Sequence, residues 1–123
     1  MFKMVFVVNS SLKMTTGKIA SQTAHSAVSL YIKAKSSSNR KKFLLVFDEI
    51  DVWVRTGQTK IVLKGSSAEQ LLELERKATD LGLSTETIRD RGRTQIAPGS
   101  LTCLAIFGRI ADVDAVTGSL PLY

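Results

Sequence analysis

Seven consecutive residues, Arg89-Asp90-Arg91-Gly92-Arg93-Thr94-Gln95, bring together three guanidinium groups, one carboxylate, a glycine and two hydrogen-bonding side chains. Apolar runs flank them on both sides. Connections between buried segments carry function more often than the scaffold does. Guanidinium groups match phosphate or carboxylate with paired hydrogen bonds, so the stretch has the chemistry of an anion grip. Asp90, set among arginines, should stay ionised because nearby positive charge favours the charged form.

A second polar constellation lies near the N-terminus. At about 100° per residue, Lys18, Gln22, His25 and Ser29 fall within about 60° of one another on one helical face. Ile19, Thr23, Ala27, Leu30 and Tyr31 form the opposite, apolar side. Lys18 stands in the first turn, where the helix dipole already favours anions. His25 is the only histidine, and Gly17, Ala20, Ser21, Ala24 and Ser26 would let a substrate approach closely. A solvated polar face is the competing reading, and periodicity leaves the two even.

Other chemistries lack their residues. Gly17-Lys18 is no phosphate-binding loop, because Leu12 stands where its first glycine belongs and Ile19 where Ser or Thr is needed. One cysteine and one histidine give no zinc spacing. No nucleophile elbow of the G-x-S-x-G kind occurs. Trp53 and Phe107 read as packing residues more readily than as base-stacking platforms.

The elements that must position these groups can be read from patterning. Met4 to Val8 reads as a strand buried on both faces. A helix capped by Thr15 or Thr16 runs to about Ala34. Asn39 to Val54 reads as helical, from the spacing of Phe43, Leu44, Phe47, Ile50 and Val54, and Gly57 ends it. Lys60 to Lys64 reads as a strand. A helix capped by Ser66 or Ser67, with Glu69 completing a capping box on Ser66, runs to about Leu81 and stops at Gly82. Ser84 to Ile88 and Leu101 to Phe107 read as strands. A short helix from Ala111 ends at Gly118. This alternation predicts an α/β sandwich with a mostly parallel or mixed four-stranded sheet.

The chain of 123 residues is read as one domain, residues 1–123, with 44% hydrophobic and 23% charged residues. A formal net charge of +6 favours polyanionic partners, chiefly nucleic acid. Cys103 allows no intrachain disulfide and sits in an apolar run, as a small buried hydrophobe would in a reducing compartment. No signal peptide and no membrane-spanning run is readable, so a soluble cytoplasmic protein without membrane attachment is expected. Val46, Val52 and Trp53 could face the core or a homodimer partner.

Taken together, the motifs resemble one family. Gly17-Lys18-Ile19-Ala20-Ser21-Gln22-Thr23-Ala24-His25-Ser26-Ala27 is similar to the helix motif of the archaeal and eukaryotic type 2 peptidyl-tRNA hydrolases. Ile88 to Ser100, with Arg89-Asp90-Arg91-Gly92-Arg93-Thr94-Gln95 at its heart, resembles their second signature. Trp53 with Gly57 to Lys64, and Val116 to Leu120, resemble the middle strand and the C-terminal end. The likeness covers nearly the whole chain in order.

The resemblance implies a three-layer α/β/α sandwich with a mixed four-stranded sheet. It implies hydrolysis of the ester joining a peptide to the 3′ end of tRNA, with peptidyl-tRNA as partner and no metal or organic cofactor. Carried over by motif, Lys18, His25, Asp90, Thr94 and Thr102 become catalytic candidates, and Gln22, Arg93 and Gln95 substrate-binding ones. Ester hydrolysis needs an activated water, oxyanion stabilisation and a proton for the leaving ribose oxygen. Asp90 could orient or deprotonate the water. Lys18 could pair with Asp90 or hold the oxyanion. Thr94 and Thr102 could place water or the leaving hydroxyl. His25 is either a proton shuttle or a buried structural hydrogen bonder. Arg89, Arg91, Arg40, Lys41 and Lys42 could grip the RNA backbone without reading sequence, although Arg40 to Lys42 would serve equally as a solvated helix start. The alternative is an RNA- or protein-binding adaptor on the same fold, with little turnover.

Overall fold

The computed structural model describes residues 1–36, 42–43, 47–91 and 96–123. Its centre is β1, Phe2–Asn9, a run of aliphatic and aromatic residues in which every position but Lys3 is buried. Such a strand needs cover on both faces. The sheet order is β4 (Lys60–Gly65), β1, β6 (Leu101–Arg109), β5 (Ser84–Arg89). β1 pairs in parallel with β4 and antiparallel with β6, and β5 is antiparallel to β6, so the sheet is mixed.

Side chains alternate across a strand, which divides the core in two. On one face Phe2, Met4, Phe6, Val8, Cys103, Ala105 and Phe107 pack under α1 (Thr16–Ser36) and α2 (Glu49–Arg55). On the other, Val5, Val7, Leu104 and Ile106 pack under α3 (Ala68–Asp80) and α4 (Ile110–Thr117). The three-layer α/β/α sandwich expected from the sequence is the architecture found. Trp53 is buried edge-to-face against Phe107, with ring centroids 5.7 Å apart, and gives its Nε1 hydrogen to Thr59 O. Val52 packs on the same cluster, so both go to the core rather than to a partner face. Val46 lies outside the described residues.

Two local expectations are corrected. The helix expected over 39–54 begins only at Glu49; before it, β2 (Lys42–Phe43) and β3 (Phe47–Asp48) pair antiparallel. Asp48, extended at φ −68° and ψ 138°, begins the helix. Of the two serines expected to cap α3, Ser67 does so, and the expected box of Ser66 with Glu69 does not form. Ser67 Oγ accepts from Gln70 N, and Gln70 Oε1 reaches back to Ser66 N at 2.7 Å.

The outer edge of β4 is covered by the C-terminal residues. Lys64 N donates to Pro121 O and Tyr123 N to Val62 O. That leaves no long bare edge there for another chain to pair with. Among the described residues no helix is long and apolar enough to cross a membrane.

Candidate active site

Lys18 and Asp90, one from each polar constellation, meet at one end of the sheet, where β1 and β5 finish, β6 begins and α1 starts. Thr15 Oγ1 caps α1 by accepting from Lys18 N at 3.3 Å, which places Lys18 in the first turn. From there Lys18 Nζ donates to Asp90 Oδ1 at 2.6 Å. The residues are 72 apart in sequence. The Asp90 side chain is only 2% exposed and that of Lys18 12%, so this is a buried ion pair at the edge of solvent.

Asp90 is held by its backbone as well. Its N–H donates to Ser100 O at 2.9 Å, and its carbonyl accepts from Gly99 N at 2.7 Å. These bonds extend the β5–β6 ladder past the register shift at Ile88/Arg89. The return turn uses Pro98 and then Gly99 at φ +80°, closed by Ser100 N to Ala97 O. A turn of this type needs positive φ at its third residue, which glycine supplies without strain. Arg89 Nη1 donates to Gly99 O at 2.9 Å, so this exposed guanidinium braces its own loop. Arg91 is exposed beside it.

Beneath the ion pair lies a second buried polar link. Thr102 Oγ1 donates to Gln22 Oε1 at 2.5 Å, with Ile88 O at 3.1 Å as its other acceptor. Thr102 is fully buried, and a hydroxyl has one hydrogen, so Gln22 and Ile88 take up what it can donate. Gln22 is also buried, while its amide nitrogen carries two hydrogens beyond this bond. Ser26, one turn on, gives its hydroxyl hydrogen to Gln22 O and also hydrogen-bonds the Cys103 thiol. Burial pushes that thiol up to about 11, against the smaller opposing effect of Ser26. Cys103 is a buried hydrophobe, as its apolar surroundings indicated.

The polar face of α1 is therefore turned further inward than expected. Gln22, Ser26 and Leu30 are its buried line, with Ile19, Thr23 and Ala27 half-buried beside them. His25 is exposed, which removes the reading as a buried structural hydrogen bonder. Lys42 is on β2, not at a helix start, and its ammonium lies 2.7 Å from Asp48 Oδ1. Arg40, Lys41, Arg93, Thr94 and Gln95 lie outside the described residues. Asn9 was missed. It is buried at the end of β1, donates from Nδ2 to Leu101 O at 3.0 Å and accepts from Ser11 N and Oγ. Its only sequence signal was a polar residue closing an apolar strand, which reads equally as a strand break.

Chemically, the arrangement offers a carboxylate fixed by its backbone, an ammonium against it, and a primary amide anchored by a buried hydroxyl. Beside them is the N-terminal turn of α1, where, among the described residues, nothing beyond the helix's own backbone and the chain neighbours lies within 4 Å of a Cβ placed on Gly17. The family model of Peptidyl-tRNA hydrolase PTH2 matches residues 2–123. A protein of Caenorhabditis elegans named probable peptidyl-tRNA hydrolase 2 is 48% identical over 120 residues, covering 98% of this chain and 36% of that one. A peptidyl-tRNA hydrolase of Methanopyrus kandleri is 41% identical over 123 residues, covering 99% and 98%. The mitochondrial peptidyl-tRNA hydrolase 2 of Bos taurus is 46% identical, covering 99% and 64%. The chain thus spans almost all of the archaeal relative and only part of the two animal ones. A solved Agrobacterium protein of unknown function shares the fold, with a TM-score of 0.65 at 11% identity, covering 99% of this chain and 97% of that one.

Proposed function

The chain belongs to the peptidyl-tRNA hydrolase PTH2 family, and from that premise we infer that it hydrolyses the ester between a peptide and the 3′ end of its tRNA. The products are free tRNA and free peptide. The observation that carries this reading, beside the family match, is the buried Lys18–Asp90 pair at the start of α1.

The roles follow from what each group has left to give. Asp90, clamped through its backbone, orients the attacking water and takes up its proton. Lys18 spends one of three ammonium hydrogens on Asp90. The others point at the ester carbonyl, where they stabilise the developing oxyanion. Removing one such donor typically costs about 10²–10³ in rate. The Gln22 amide nitrogen holds the ester end of the substrate. Thr102, fully buried, acts through Gln22 by fixing its amide and does not touch the substrate. His25, exposed on the same helix, serves as a proton shuttle. Thr94 supplies a hydroxyl for the water or the leaving ribose oxygen, while Arg93 and Gln95 hold the terminal nucleotide. Arg89 and Arg91, with Arg40 and Lys41, contribute positive charge towards the RNA backbone; Lys42 contributes less because Asp48 neutralises it. Work in the cytoplasm, and association as a homodimer, belong to the same proposal.

Release of N-acetylamino acid from N-acetylaminoacyl-tRNA tests the activity. Turnover lost on Asp90→Asn supports the assignment, and full turnover in that variant overturns it.

A further inference from the structure

The sheet has two edges, and they are treated differently. The β4 edge is covered by Pro121 to Tyr123. Among the described residues no strand pairs with the outer edge of β5. Ile88 O faces β6, since it lies 3.1 Å from Thr102 Oγ1, whereas Thr85 O accepts from Lys33 Nζ at 2.7 Å on the outer side. In an antiparallel pair the two backbone groups of a residue point the same way and alternate along the strand. Thr85 and Thr87 therefore present N–H and C=O outward. β5 ends at Arg89, next to Asp90 in the site. At its other end Ser84 and Thr85 help line a cavity of about 390 Å³. α1 runs alongside, with Lys18 reaching Asp90 at one end and Lys33 reaching Thr85 at the other.

We propose that the outer edge of β5 is the track for the peptide of the substrate, which pairs with it backbone to backbone as an added strand. The proposal rests on the esterase reading above. The peptide's C-terminal carbonyl lies at Lys18 and Asp90, and β5 also runs towards them, so the added strand is parallel to β5. Edge pairing engages the main chain, which every peptide carries, so it sets no requirement on side chains. At about 3.3 Å per residue the track from Arg89 to the cavity takes roughly four to five peptide residues. Lys33 holds the outer carbonyl of Thr85 when no peptide is present, and hands it over on binding.

The test compares kcat/KM for N-acetylaminoacyl-tRNA with that for tRNA carrying acetylated peptides of two to six residues. The value should rise with length and level off near five residues. N-methylation of an alternate peptide nitrogen should lower it about fivefold for each hydrogen bond lost, while exchanging side chains at those positions should change it little. Thr87→Pro removes an outward N–H that the β5–β6 ladder does not use, a place where an edge strand accepts proline. Its ratio of long- to short-substrate kcat/KM should fall by about fivefold. Rates independent of length and of N-methylation, with N-acetylaminoacyl-tRNA still cleaved, would overturn the track alone. Failure to cleave any of these substrates would overturn the esterase reading and the track with it.

Discussion

Replacing Lys18 with methionine keeps much of the stem and deletes the ammonium that lies 2.6 Å from Asp90. The Asp90 side chain is 2% exposed, so bulk water compensates little for the lost ammonium. Removing one member of a buried pair typically costs about 3–5 kcal/mol, because the other charge is left in a poorly polarisable surrounding. Lys18 sits at the solvent edge, which places the expected loss at the low end, about 3 kcal/mol. For a chain of this length that is a fall in Tm of about 10 °C. Adding Asp90→Leu removes the buried carboxylate as well. The double variant should regain about 2 kcal/mol or more over Lys18→Met, since apolar replacement of a whole buried pair is often neutral or better. Hydrolysis should return in neither. Thermal unfolding of the three variants, with ester hydrolysis measured below the lowest Tm, separates the structural from the chemical role. A Lys18→Met protein within about 0.5 kcal/mol of the parent, or a double variant less stable than the single one, would show that Asp90 does not depend on the Lys18 ammonium.

Other consequences follow from the same geometry. Thr102→Val keeps the shape and removes the hydroxyl, leaving Gln22 Oε1 and Ile88 O without its hydrogen; stability should drop by about 1–3 kcal/mol and kcat more than KM, as steady-state kinetics would show. The Cys103 thiol, raised by burial from 9.0 to about 11, stays protonated in the fold. Its contribution is complete below pH 9 and is lost as pH climbs towards 11, about 2–3 kcal/mol in all. Tm should therefore fall over that range, less steeply in Cys103→Ala, and alkylation of the native protein at pH 8 should be slow. With a net charge of +6, tRNA binding should weaken with salt. If about three phosphates are neutralised, the loss from about 50 to 200 mM KCl is roughly 40-fold, and a flat titration contradicts the basic RNA-facing surface.

Much of this fold is visible in the sequence because its strands carry opposite patterning to its helices. The apolar run Met4 to Val8 within β1 and the apolar face of α3 leave few alternatives. Residues 39–54 misled for a specific reason. A spacing of four, as between Phe43 and Phe47, fits one helical turn, but it also fits facing positions across a tight hairpin, and those two residues are register partners. The ion pair between Lys42 and Asp48 then favours the hairpin. The site was legible as two motifs, and Lys18 does meet Asp90. Its interior was not legible: Gln22 and Ser26 look like surface residues in a helical projection, yet they are buried. What makes their burial tolerable is bonding to Thr102, 80 residues away, and to the backbone. No periodicity encodes a polar contact formed across a fold. Asn9 escaped for the same reason, its partner being the carbonyl of Leu101.

We infer that the carboxylate held against Lys18 serves ester hydrolysis. Asp90→Asn keeps the shape of the side chain and removes its charge. With N-acetylaminoacyl-tRNA as substrate, the parent protein should release N-acetylamino acid, and Asp90→Asn should do so at least about 10²-fold more slowly while still folded. Equal rates for the two proteins, or no release by the parent, would contradict the account.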